Sequence, residues 1–317
     1  MRASRRRWPA VIAVLACVAL AGAVACSPRG AASRSPARQV LPAGAAAVLR
    51  AGTLYLLLGD VPISANLWQA SLPGGRMRQL TFNPPQYGVS NFNASAAGLV
   101  LGDARSGVDN AEVMVAGRPR LLSGGVGDSP QINGAGQIVD AASAEQNVRH
   151  GPWSHDRLLY WADASSTYRT MYQALPENLA SVAWNPAGTL ILAQDGTDAG
   201  TRLFVVNTRG RIVRQLLTVP AFPNGLAWGR YGLAVGYQTA RPSVVVGMSG
   251  RVVARLPGGW IPGCWNPGGT RLLVTSRTRQ RIGIWNSARP GQVEGLGRLS
   301  GGALQECSWT ARPARGA

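Results

Sequence analysis

The residues with the chemistry to build a site are few: two histidines, four cysteines and a cluster of alternating arginines. His150 and His155 fall in the segment RHGPWSHD, with Asp156 adjacent. Two imidazoles and a carboxylate are a conceivable metal set. Nothing else recurs at ligand spacing, so the segment reads as a surface loop and no metal is assigned. No Gly-x-Ser-x-Gly segment occurs, which leaves no nucleophile elbow for a serine hydrolase. The Gly-Gly pairs that begin at Gly74, Gly124, Gly258, Gly268 and Gly301 sit at turns and match no phosphate-binding loop. No catalytic set and no cofactor emerge. Ser276-Arg277-Thr278-Arg279-Gln280-Arg281 is different. It reads as a loop between strands, where binding residues concentrate. Arg277, Arg279 and Arg281 are therefore the candidate contacts to an anion or an acidic partner.

Those arginines belong to a wider bias. The 317 residues hold 32 basic and 14 acidic side chains, a net charge of +18, and every base is arginine. GC-rich coding favours arginine over lysine, so composition alone does not make the charge functional. Its distribution is more informative. Residues 199–293 contain thirteen arginines and no acid, whereas residues 99–198 contain eleven acids and six arginines. The body is expected to be strongly polar, with its later part basic. An apolar fraction of 46% excludes a disordered chain, and charged residues at 15% exclude a coiled coil or charged tail.

The first 25 residues read as an export signal. Arg2, Arg5, Arg6 and Arg7 precede an apolar run from Trp8 to Ala25, and Cys26 follows. A spanning helix is weakened by Pro9 and by the small residues 21–25. Ala23-Val24-Ala25-Cys26 resembles the lipobox of bacterial lipoproteins, with alanine where leucine is usual. The resemblance implies cleavage before Cys26 and acylation of its sulfur, and so an extracytoplasmic protein anchored to the cell membrane. Nucleic acid is then an unsuitable partner. Removal of residues 1–25 takes four arginines with it and leaves +14. Residues 26–45 hold the acylated cysteine and a Ser/Pro/Ala/Arg-rich segment without periodicity, read as a flexible tether.

What must position any site is a repeat. SVAWNPAGTLILAQ around Trp184 matches PGCWNPGGTRLLVTS around Trp265, and looser copies surround Trp228, Phe92, Ile132 and Trp309. The tryptophans at 184, 228, 265 and 309 are 44, 37 and 44 residues apart, a spacing typical of propeller blades. Within each unit an aromatic closes a first strand, a Pro/Gly turn follows, and three more short strands come after it. Residues 46–81 supply three strands but no first-strand motif, and residues 303–312 supply the motif with no strands behind it. Joining them closes a ring of six blades over 46–314 and leaves no sheet edge open. The other blades span about 85–123, 126–178, 180–220, 222–258 and 260–300, the third being long and irregular.

Asn66-Leu67-Trp68-Gln69-Ala70-Ser71-Leu72-Pro73-Gly74-Gly75-Arg76-Met77-Arg78-Gln79-Leu80-Thr81 resembles the third and fourth strands of a TolB-type, WD40-like β-propeller repeat. WNPAGT and WNPGGT are similar to that family's W-S-P-D-G turn. Ala187 and Gly268 replace its aspartate, so the turn is expected to lack its side-chain cap. The resemblance implies an all-β, six-bladed propeller with four-stranded blades, and says little about function.

Cys264 and Cys307 then fall on the first strands of the last and closing blades, neighbours around the channel. In an oxidising compartment they read as one disulfide stapling the ring, with two separate buried thiols as the alternative. Cys264 lies one residue before its tryptophan and Cys307 two before its own, an offset that argues against the bridge. The function expected is a non-catalytic binding or scaffold module for a protein or an anionic envelope component. The alternatives are a propeller lyase or hydrolase at the channel, which requires several inward acids or histidines, and a ligand sensor with a deep apolar pocket. Likeness to actinobacterial lipoproteins of the LpqB type, which act beside a sensor kinase, extends to the propeller alone and is an analogy.

Overall fold

The second and third strands of each repeat are rich in apolar residues because much of both of their faces is buried. In Gly52–Leu58, Leu54, Leu56 and Leu58 point to one side and pack with Leu273, Ile282 and Ile284. Tyr55 and Leu57, alternating with them, point to the other side and pack with Phe92, Leu99 and Leu101. The same division separates Leu192, Leu203 and Val205 from Ile191, Ala193, Phe204 and Val206. Every blade thus contributes one half of two cores. Six apolar clusters result, one in each gap between neighbouring blades.

The computed structural model describes residues 41–316, apart from residue 50 and the loop segments 61–64, 74–75, 82–88, 104–109, 125–126, 128, 143–155, 174–178, 198–199, 220–222 and 238–240. The described residues form six four-stranded antiparallel sheets. Blades 2 to 6 each use four consecutive strands, with inner strands Val89–Ala94, Gln131–Ile132, Leu179–Trp184, Pro223–Trp228 and Trp260–Trp265. Blade 1 takes its inner strand, Leu304–Thr310, from the C-terminal end. That strand pairs antiparallel with Gly52–Leu58, setting Trp309 against Leu54 and Cys307 against Leu56. The ring closes as the repeat pattern predicts, and the compact unit runs over Ala37–Ala317.

Two expectations need correction. The packed body begins before residue 46. Leu41 and Ala45, which composition places in the tether, are 3% and 1% exposed. Together with Leu49 of the short helix Ala45–Leu49 they fill the seam between blades 6 and 1. A low-complexity segment still buries what apolar side chains it has when a groove is open to them. The Asn-Pro-x-Gly turns, in turn, do have a side-chain cap. Asn185 Oδ1 accepts from the N–H groups of Thr189 and Leu190 at 2.8 and 2.9 Å, and Asn266 Oδ1 accepts from Thr270 and Arg271 at 2.9 Å each. The asparagine before the proline does the work assigned to the missing aspartate. Gly188 and Gly269 both sit at φ +68°, the left-handed conformation that turn requires.

Candidate functional site: the channel and its closing seam

The six inner strands surround a central channel of about 600 Å³. Its wall is built mainly of amides and hydroxyls, and these stitch one inner strand to the next. Glu306 of blade 1 accepts from the Phe92 N–H of blade 2 at 2.7 Å, and Ser308 Oγ donates to the Ala94 carbonyl at 2.9 Å. Asn93 Oδ1 accepts from the Ile132 N–H of blade 3 at 3.0 Å. The repeat tryptophans serve the same end. Trp184 Nε1 donates to the Gln131 carbonyl of blade 3 at 3.1 Å, and Trp265 Nε1 to the Ala227 carbonyl of blade 5 at 3.0 Å. Each indole thereby satisfies its buried N–H while packing its ring between blades.

The seam between blades 6 and 1 is covalent. Cys264 and Cys307 form a disulfide with a Cα–Cα separation of 5.6 Å. Strand alternation accounts for the sequence offset between the two cysteines: Trp265 faces blade 5 and Cys264, one residue before it, faces blade 1, whereas Trp309 and Cys307, two residues apart, both face blade 6. The strand is also bulged here. In blade 6, Pro262 pairs with Val274 and Trp265 with Leu272, so Gly263 and Cys264 together oppose Leu273 alone. A Cβ at Gly263 would lie 2.8 Å from the Cys307 sulfur, so only glycine leaves room for the bridge. A cross-link of this kind contributes roughly 2–4 kcal/mol.

One ionisable pair lies at the channel end beside that seam. Arg279 adopts φ +56° in the hairpin between Arg271–Ser276 and Arg281–Asn286. Its Nη1 donates to the carbonyl and to Oε1 of Gln305, both at 3.2 Å. Burial pushes the Glu306 carboxyl up to about 8, against the opposing pull of the Phe92 N–H and the Arg279 charge. Burial lowers Arg279 from its ordinary value, and the Glu306 charge opposes that. Among the described residues lining the channel, Glu306 is the single carboxylate, with Arg230 and Arg279 as the cations.

The three candidate arginines therefore do not form one cluster. Arg277 and Arg281 are exposed, whereas Arg279 turns in to the channel wall. Alternation on a hairpin tip distributes side chains to different sides, and the sequence pattern does not say which is retained. Cys26, His150 and His155 lie outside the described residues. Asp156 is buried, and its Oδ2 accepts from the Leu179 N–H at 2.9 Å, holding blade 3 to blade 4. Among the described residues no three His, Cys, Asp or Glu side chains gather to hold a metal ion. Glu306 is the residue sequence reading missed. Its one signal is an acid inside the first-strand motif, QECSW, where the other copies have none.

No protein-family model and no curated protein sequence matches this chain. Solved structures do. TolB from Acinetobacter baumannii superposes with a TM-score of 0.62 at 13% identity, covering 82% of this chain and 67% of that one. The architecture is that of a TolB-type β-propeller. A putative TolB from Agrobacterium tumefaciens gives a TM-score of 0.56 at 15% identity, covering 83% of this chain and 93% of that one. A chain from a nidogen/laminin complex gives 0.59 at 13% identity, with 81% and 97% covered. At these identities the likeness is one of TolB-type fold.

Proposed function

We propose that this chain is a membrane-tethered, extracytoplasmic propeller lipoprotein that serves as a non-catalytic binding or scaffold module. Acylation at Cys26 would anchor it, and a protein or an anionic envelope component would be its partner. The observation that carries the binding reading is the composition of the channel wall. Several of its amides and hydroxyls, among them Asn91, Asn93 and Ser308, bond to neighbouring inner strands or the turns beside them, and its described lining offers one carboxylate, Glu306, beside one bound arginine. A lyase or hydrolase needs a second acid or a histidine facing the first. A polar wall is likewise a poor match for the deep apolar pocket of a sensor. The nidogen/laminin structure lends the fold a precedent in a protein–protein complex.

The test is site-specific photo-crosslinking in intact envelopes. A probe at Gln305, on the channel rim, is expected to give a reproducible adduct, and one at Val293, on the outer strand of blade 6, is expected to give none. No adduct from either position overturns the binding reading. The anchor is tested separately: fatty-acid label retained by Cys26→Ala overturns it.

A further inference from the structure

The hairpin ends of the blades sort charge onto one face of the ring. Two kinds of turn share that face: those joining the first and second strands, and those joining the third and fourth. Contacts on the page tie them together. Ser95 Oγ donates to the Asn133 carbonyl and Asn133 Nδ2 to the Gly188 carbonyl, linking the inner turns of blades 2, 3 and 4. Arg214 Nη1 donates to the Met248 carbonyl at 2.8 Å, linking the outer turns of blades 4 and 5. Gly117 N–H donates to the Gly316 carbonyl, which brings the C-terminal segment to the same face.

This face carries Arg209 and Arg211 on blade 4, Arg230 and Arg251 on blade 5, and Arg289 on blade 6, all exposed. Arg76, Arg118, Arg312 and Arg315 extend it, also exposed. Among the described residues the one acid here is Asp163, and its Oδ1 is occupied by the N–H groups of Ser165 and Ser166 and the Ser165 hydroxyl. The opposite face, by contrast, holds the Arg279–Glu306 pair with Arg277 and Arg281.

A second observation is independent of charge. Of the eight large apolar side chains that are exposed among the described residues, seven lie at this same face. Tyr231 and Met248 are in the turns themselves, and Val115 is the last residue of the strand leading into one. Ile212, Val213, Val252 and Val253 are the first two residues of the outer strands of blades 4 and 5. Blades 4 and 5 thus place apolar side chains directly beside Arg209, Arg211 and Arg251.

We infer that the arginine-bearing face of the propeller docks on an anionic phospholipid bilayer, with blades 4 and 5 leading. Guanidinium groups pair with phosphate in a bidentate fork, and each basic side chain near an anionic leaflet strengthens partitioning about five-fold. Exposed aliphatic and tyrosine side chains beside them suit the boundary between headgroups and acyl chains. A soluble polyanion uses the arginines but leaves the apolar side chains in water, so the pairing of the two favours the bilayer. The inference goes beyond the anchored-module reading and does not need Cys26.

The compact unit over residues 37–317 has its own cores and closed ring, so it is tested without the preceding segment. Co-sedimentation with vesicles is expected for phosphatidylcholine mixed with phosphatidylglycerol and not for phosphatidylcholine alone, and to weaken with salt. Arg209→Glu/Arg211→Glu/Arg251→Glu is expected to lower the partition coefficient about a hundred-fold. Met248→Ser/Val252→Ser is expected to lower it with the salt dependence unchanged, and Arg277→Glu/Arg281→Glu to leave it intact. Melting curves establish that each variant is folded, and Arg209→Gln/Arg251→Gln replaces the triple reversal if that variant is not. Equal sedimentation with neutral vesicles, none with either, or an equal loss from the opposite face overturns the inference. Binding to polyglutamate as tight as to vesicles, and indifferent to Met248→Ser/Val252→Ser, overturns it in favour of an acidic protein partner. None of these results depends on the channel crosslink, so the two readings fail separately.

Discussion

Blades 2 to 4 and blades 4 to 6 use charge in opposite ways. Of the eleven acids in residues 99–198, Asp103, Glu112, Asp140, Asp156 and Asp195 are buried within the blades. Three of them bind backbone or arginine: Ser129 N–H donates to Asp140 Oδ1 and Leu179 N–H to Asp156 Oδ2, each at 2.9 Å, and Arg202 pairs with Asp195, whose carboxyl group is fully buried. The arginines of residues 199–293 instead lie mostly on turns and outer strands. Among the described residues of this stretch Asp163 is the one exposed acid, and the other five are turned into the blades. Those five serve as internal fasteners, and at the described turns of blades 4 and 5 the exposed arginines have no acid beside them. A net charge computed per segment hides this, because a buried carboxylate and an exposed guanidinium count equally in it.

The widest expected gap between the two regions is in stability. Asp195→Ala strands the Arg202 guanidinium against the blade 4 strands, and breaking a buried pair in this way costs about 3–5 kcal/mol, less here because Arg202 is partly exposed. Arg209→Ala removes an exposed turn residue whose backbone N–H, not its guanidinium, is held by Asn207. It should stay within about 0.5 kcal/mol. Urea denaturation of both variants measures the contrast. Equal effects would mean that the acids of the first region are as dispensable as the arginines of the second.

The seam between blades 6 and 1 comes next. Cys264→Ser/Cys307→Ser should lose about 2–4 kcal/mol, and reductant should lower the melting temperature of the native protein but not of the variant. Titratable thiols in the unreduced protein would remove the bridge. The seam also shows how far the fold was legible in sequence. Six blades and the closing strand follow from the spacing of Trp184, Trp228, Trp265 and Trp309 with the looser copies at Phe92 and Ile132, whereas the bridge between Cys264 and Cys307 was one of two alternatives and is decided by the structure. The bulge at Gly263–Cys264 was not legible, because it depends on which residues pair across the sheet. The site was less legible still. Whether Arg277, Arg279 or Arg281 turns inward depends on the left-handed backbone at residue 279, a conformation few non-glycine residues announce. The sorting of arginines and exposed aliphatics to one face needs the blade topology first. Arg209 and Arg277 look alike in sequence and lie on opposite faces.

A smaller effect, and a titratable one, separates Glu306, half-buried in the channel wall, from the fully buried acids. The Glu306 carboxyl is raised to about 8, above its ordinary 4.5, by burial at the channel wall. The folded state therefore holds a proton that the unfolded chain has released. Stability contributed by the protonated form is present below about pH 4.5 and declines as pH rises toward about 8. Glu306→Gln keeps a hydrogen-bonding partner for the Phe92 N–H and removes the charge. It should flatten this decline, gaining about 1–2 kcal/mol at high pH once the screening by channel water is allowed for. Denaturant midpoints across that pH window, wild type against Glu306→Gln, give the measurement. Parallel profiles would place the Glu306 carboxylate in water, and the channel wall would then resemble the exposed arginine face more than the buried acids of blades 2 to 4.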